Sequence, residues 1–494
     1  MAQQPPGAIP TAQAGSAGLP LFLISAAGSL LLGSLVAGTV LLDGLFERFV
    51  LLGNFSLEKP FPYTLTIALL LILSAAAWVL ARSSHLFAHR HEIAIAALII
   101  AGALDGINIQ NLDPTDPVIL ITFYAWVAFF VFERLPFRVP TTVLLLCLAV
   151  LCCSLLSAAN GGMTTLMGHR TLIARLLLVV ILASWIAATG RTRFSVRLIV
   201  AIAVASAVAG LVGSLLYVVT GEVVSANDTL AEVTKGTPLG KMVRATGFTS
   251  TAQSLAHLLL IGVALALFAP MRRLWRVLAV LIMVVGIAWT FTIGGYLTLA
   301  CVLALWLFMR WPEKSLHFVL AIVGVGCLVY LTGWAGYAYE EVLLALGGKG
   351  TLDRMETVVQ GLVAIQHHPW IGVGLRNSGR VGSGVVHSTY VQLASEIGIP
   401  GAIAFAGLVS FPAARLAAAV KGMPRGERQS WLKALLLASF TLILHLSIEP
   451  FYDNYFSWAF IGVAAGAVGE MNVARSRQSI IAGRATVQAL GAPQ

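Results

Sequence analysis

The stretch Leu172-Ile173-Ala174-Arg175-Leu176-Leu177-Leu178-Val179-Val180-Ile181-Leu182-Ala183-Ser184-Trp185-Ile186-Ala187-Ala188-Thr189-Gly190 holds one ionisable side chain, Arg175, in an otherwise apolar run. A helix needs about 20 mostly apolar residues to cross a bilayer, and this run is of that length. Similar runs recur near 20–42, 62–81, 93–108, 117–133, 139–158, 196–220, 252–269, 274–292, 295–309, 317–337, 398–420, 431–447 and 454–471, which with 172–190 makes fourteen. Apolar residues make up 58% of the chain and charged residues 11%, against roughly a quarter charged in soluble domains. The expected fold class is all-α: a polytopic integral membrane helical bundle of about 12–14 transmembrane helices, with one long outer-face loop containing short helices.

The net charge of +10 follows membrane orientation rather than nucleic acid binding. Basic residues collect in alternate connections: Arg82 and Arg90, Arg134 and Arg138, Arg191 to Arg197, Arg272 to Arg276, Arg310 and Lys314, Arg415 to Lys433, and Arg475 to Arg484. The intervening connections hold most of the acids, among them Asp113 and Asp116, Glu222 to Glu232, Glu340 and Glu341, and Glu449 and Asp453. The positive-inside rule then places both termini in the cytoplasm and the segments 221–251 and 338–397 outside it.

The expected organisation is a disordered tail over 1–19, the first eleven helices over 20–337, and a long outer loop with amphipathic helices over 338–397. The last three helices follow over 398–474, then a cytoplasmic tail over 475–494. The first nineteen residues contain no Lys or Arg and so lack the basic start of a signal peptide. Cys147, Cys152, Cys153, Cys301 and Cys327 all lie in apolar runs, which suits packing rather than disulfides or metal ligation.

Within the long outer loop, Thr351 to Ile365 reads as an amphipathic helix with an apolar stripe of Leu352, Met355, Val359 and Leu362. Pro369 ends that pattern, and Gly372, Gly374, Gly379, Gly382 and Gly384 mark a loop. From about Ser388 the chain becomes helical again and leads toward the span at 398–420. Arg354, Arg376 and Arg380 sit in this loop against the positive-inside bias, so they need partners. Those partners are either acids such as Glu340, Glu341, Asp353 and Glu356, or a phosphate or diphosphate, which a guanidinium fork suits. His387 is the candidate general base, because histidine exchanges protons near neutral pH. Glu396 lies nine residues on, half a helical turn out of phase, so on an unbroken helix it faces away from His387 and ties the helix to its neighbours instead. The adjacent His367 and His368 lack the spacing of a metal site. Arg244 stands where an outer loop enters a span, as a headgroup-phosphate ligand or a snorkelling side chain. Arg175 lies one turn into its apolar run, where an ionisable group is costly, so it is a functional candidate or a structural pair for Asp105.

These segments resemble the O-antigen ligase/polymerase family of bacterial glycan-assembling membrane proteins. The resembling residues are Asp353-Arg354, then Pro369-Trp370-Ile371-Gly372-Val373-Gly374, then His387-Ser388-Thr389-Tyr390-Val391-Gln392-Leu393-Ala394-Ser395-Glu396-Ile397-Gly398-Ile399-Pro400-Gly401, with Arg244-Ala245-Thr246-Gly247 upstream. The resemblance implies a metal-independent glycosyltransferase without a cofactor, at the periplasmic face of the bacterial inner membrane. Its donor would be a glycan on a polyprenyl diphosphate such as undecaprenyl diphosphate, and its acceptor a glycan or lipid A-core. The products would be lipopolysaccharide or exopolysaccharide, with polysaccharide-export proteins as partners. Carried over, His387 is the base, and Arg244 and Arg354 bind the diphosphate. Arg376, Arg380, Arg175 and Glu396 complete the expected substrate site. The family's Ser-Arg-Gly start of a span is absent: Thr290-Phe291-Thr292-Ile293-Gly294-Gly295-Tyr296 has no Arg. Either another Arg supplies that charge, or the donor sits differently. The competing reading is a polytopic transporter or lipid-linked oligosaccharide flippase. It predicts ionisable residues and broken helices at the bilayer midplane.

Overall fold

A computed structural model describes residues 89–103, 121–122, 125–220, 234–237, 240–249, 251–314, 349–377, 386–424 and 426–490. The expected spans at 20–42, 62–81 and 317–337, together with Asp105, Cys327, Glu340, Glu341 and Arg380, lie outside the described residues. The chain divides into two compact units, residues 1–90 with 130–134 and residues 91–129 with 135–494. In the described part of the first, Arg90 pairs with Glu133 at 2.6 Å. Everything below concerns the second.

Its helices are α1 (Arg90–Ala103), α2 (Thr141–Thr189), α3 (Thr192–Thr220), α4 (Ala252–Phe268), α5 (Arg273–Trp289), α6 (Ile293–Arg310), α7 (Lys349–His367), α8 (Thr389–Lys421), α9 (Glu427–Ile448) and α10 (Tyr455–Leu490). A short antiparallel ribbon pairs β1 (Thr234–Thr237) with β2 (Gly240–Val243), Thr234 facing Val243. Among the described residues, seven helical segments are long and apolar enough to cross a membrane. The protein is a polytopic, overwhelmingly helical membrane protein.

Helix α2 consists of two helical arms folded back on each other. The amide of Arg138, just before it, donates to Ser184 Oγ at 3.1 Å, and His169 Nε2 lies 2.6 Å from the carbonyl of Ser154. In a straight helix fifteen residues rise about 22 Å, so these contacts require two antiparallel arms. Thr141–Ala158 and Thr171–Thr189 are each of membrane-spanning character. They correspond to the separate runs read from the sequence at 139–158 and 172–190. Gly190, with φ of 70°, ends the second arm and returns its amide to Ile186.

Of the seven spanning segments, the second arm of α2 and the span Tyr455–Ser476 of α10 are the most enclosed, each 83% buried. Their seam runs over small residues: Gly462 lies on Val179 and Leu182, Gly466 on Ala183 and Ile186, and Gly469 on Ala187. Side chains this small let two backbones approach closely, which drives association where lipid supplies no hydrophobic force. The first arm of α2, α3 and α6 instead turn Leu145, Leu156, Leu215, Val219 and Leu297 outward, as lipid-facing helices do.

Helix α8 is broken at Gly398 (φ 79°, ψ 165°). The break is clasped by the loop after α7: the amide of Ile399 donates to Pro369 at 2.8 Å, Val373 to Ser395 at 2.8 Å and Gly374 to Glu396 at 2.9 Å. Gly372 and Gly398 face each other so closely that a β-carbon on either would collide with the opposing backbone carbonyl. Both have positive φ, so both the space and the backbone conformation require glycine. Asn160, between the arms of α2, adds a bond to the carbonyl of Gly372 at 2.9 Å.

Candidate active site

Two ends of the spans differ in chemistry. At one end Arg191 pairs with Glu92 at 2.7 Å, Arg193 with Glu427 at 3.2 Å, and Arg197 stacks over Trp431. Helix α9 runs from this end for 22 residues, about 33 Å, which is one bilayer core. At its far end stands Glu449, and there the candidate residues gather.

Glu449 caps α9, its amide bonding to the carbonyl of His445 at 2.9 Å, and Pro450 stops the helix. The carboxylate is 1% exposed. Arg354, from the first turns of α7, donates Nη1 to Glu449 Oε1 at 2.8 Å. His387, one residue before the α8 cap Ser388, sets Nδ1 3.7 Å from Oε2 of the same carboxylate. Among the described residues neither His387 Nδ1 nor Glu449 Oε2 has a hydrogen-bond partner, and both are buried. At 3.7 Å the pair is an ionic contact, not a hydrogen bond. Thr389 Oγ1 donates to the carbonyl of Glu449 and accepts the amide of Phe451, both at 2.8 Å, fixing this turn to the start of α8. Burial alone would push the Glu449 carboxyl up. The facing His387 and the charge of Arg354 outweigh it, so Glu449 is held below the ordinary glutamate range.

The start of α6 completes the surroundings. Gly294 leaves the room that Glu449 Oε1 occupies, since a β-carbon there would come within 2.6 Å of it. The carboxylate thus lies at a helix N-terminus, which favours negative charge. Arg244 reaches the turn just before α6, its Nε donating to the carbonyl of Thr290 at 2.9 Å. Arg244 is thus packed on the turn where the resemblance leads one to expect an Arg.

The other sequence candidates separate. Arg175 is 2% exposed and uses Nη1 and Nη2 on the carboxylate and carbonyl of Asp453, at 2.9 and 2.7 Å, with its guanidinium over Tyr455. The carboxylate it meets is thus that of Asp453, an acid on the turn after Glu449. Glu396 is fully buried and accepts from Gln392 at 3.2 Å, within α8. Arg376 is exposed in the loop with φ of 62°. Helix α7 forms over the expected stretch, and the described part of its apolar stripe points outward: Val359 and Leu362 are exposed, while Thr357, Gly361 and Ala364 face inward. Gly361 packs against Val386 and Val391, which seats α7 on the start of α8 and brings Arg354 to Glu449.

Glu449 was not singled out by sequence reasoning for any chemical role. Its partner Arg354 is 95 positions away, and the candidates considered for that Arg were acids in its own loop. The available signal was a carboxylate directly before Pro450, at the outer end of a span.

Residues 278–406 match the family model described as O-antigen ligase. The match includes Gly294, Arg354 and His387 and stops before Glu449. It supports the O-antigen ligase/polymerase family, and with it a multi-pass membrane enzyme that works on glycans. No curated protein matches the chain.

Proposed function

We propose that the protein is an inner-membrane glycosyltransferase acting at the periplasmic face. It transfers a glycan from a polyprenyl diphosphate to an acceptor sugar hydroxyl, as a surface polysaccharide polymerase or O-antigen ligase. The observation that carries this reading is the meeting of a partly exposed imidazole and a guanidinium on one buried carboxylate, at the end of α9 away from the basic connections.

In the proposed step His387 Nε2 takes the proton of the acceptor hydroxyl. The hydroxyl oxygen bonds to the donor's anomeric carbon, and the bond from that carbon to the diphosphate oxygen breaks. The diphosphate leaves with the electron pair. Arg354, 25% exposed at its side chain, and Arg244 stand where they would hold that growing charge, the kind of electrostatic support that accounts for much enzymatic rate enhancement. The apolar side chains that α7 and its following loop expose, Leu362, Trp370 and Ile371, suit a site at the depth where a lipid-borne donor presents its diphosphate.

Purified protein in detergent, with no membrane gradient, is predicted to consume a polyprenyl-diphosphate glycan and release the polyprenyl diphosphate. Flux of that lipid across vesicles without any new glycosidic bond would contradict the proposal and favour a transporter. In a strain lacking the protein, single repeat units left on the lipid mean a polymerase, and full-length unattached chains mean a ligase.

A further inference from the structure

We propose that Glu449 is a positioning residue that holds His387 in the tautomer and orientation a general base requires. This rests on His387 being the base. The two groups face each other, Nδ1 to Oε2, at 3.7 Å, and among the described residues neither atom has a hydrogen-bond partner. A small rotation of the imidazole makes the bond. With Nδ1–H directed at a carboxylate, Nε2 keeps its lone pair and points away from Glu449, toward the exposed side of the ring. When Nε2 takes a proton, the carboxylate stabilises the resulting imidazolium.

The carboxylate is held for this task on several sides. Arg354 fixes Oε1 at 2.8 Å and its charge keeps Glu449 ionised, so Oε2 remains an acceptor. The backbone of Glu449 is tied by Thr389, two residues beyond His387. One hydroxyl therefore sets the spacing between base and carboxylate. Gly294 keeps the start of α6 clear of Oε1. A role confined to anchoring Arg354 leaves the orphaned Nδ1 and Oε2 unexplained.

The test uses full-length protein in detergent and the lipid-linked glycan that accumulates in a strain lacking it. Glu449→Gln still accepts from Arg354 but no longer offers a charged acceptor to Nδ1. We expect kcat to fall by about 10²–10⁴-fold, with the donor KM changed by less than about threefold. Glu449→Asp, which restores a carboxylate, should recover part of that loss. In the His387→Ala background Glu449→Gln should cost little more, because both act through one proton transfer. Monodisperse elution and an unchanged melting temperature establish folding. Should Glu449→Gln not fold, Thr389→Val loosens the same pair and should also lower kcat with KM kept. A normal kcat in these variants, or a raised donor KM at unchanged kcat, would overturn the positioning role alone. Normal turnover by His387→Ala would overturn the proposed function and this role with it.

Discussion

At the residue scale the account turns on a carboxylate buried at the end of a span and kept ionised by its neighbours. Glu449 sits below the ordinary glutamate range because His387 and Arg354 outweigh its burial. A carboxyl with a depressed folded-state pKa contributes stability above its unfolded value, about 4.3, and loses it as pH falls through the folded value. The melting temperature of wild type should therefore lose its advantage over Glu449→Gln as pH falls below about 5, the two converging in more acid solution. A gap that stays constant down to pH 3 would remove this part of the account. His387 was legible in the sequence because its neighbours are local: a Gly-rich loop before it and a polar helix start after it. Glu449 was not, because its role depends on α7, α8 and α9 meeting, which no local pattern encodes. Arg354 was legible as a basic side chain on the wrong side of the membrane, but not its partner.

At the element scale the two glycine-bearing motifs of the outer segment have a mechanical reading. Pro369 to Gly374 and Ser395 to Ile399 clasp each other across Gly372 and Gly398, and the clasp breaks α8 between the proposed base His387 and the rest of the span. Substituting Gly398→Ala meets both a positive φ and a carbonyl in the way. It should destabilise by about 2–4 kcal/mol and cut activity by moving His387 away from Glu449. Thermal unfolding in detergent, read beside turnover, checks this; a variant as stable and active as wild type would show that the break is incidental. The sequence showed these glycines as a loop and a helix start, while the clasp itself is a long-range contact. The same limit applies to the amphipathic stripe of α7. Period alone located the stripe, but in a chain surrounded by lipid an apolar face has two places to go, and here Val359 and Leu362 are exposed while Gly361 is buried. In α2 the apolar runs were enough to separate the two antiparallel arms as two spans.

Over the whole molecule, the candidate site lies at the span ends away from Arg191, Arg193 and Arg197. The end with Arg191, Arg193 and Arg197 is the one the positive-inside rule assigns to the cytoplasm, and α9 carries the chain from there to Glu449. Composition was sufficient to read a multi-pass helical protein, because about 20 apolar residues per span leave few alternatives. The packing order was not readable, since the Gly462–Gly466–Gly469 seam looks like any other small-residue run until its partner helix is known. The claim on which the rest depends is that the His387 end faces outward. It is tested most directly by impermeant thiol labelling in a variant whose native cysteines are replaced, with one cysteine at exposed His368 and, separately, one at exposed Arg193. His368→Cys should be labelled from outside intact spheroplasts and Arg193→Cys only once the cytoplasmic side is opened; the reverse pattern would place the candidate cluster in the wrong compartment and contradict the proposed function.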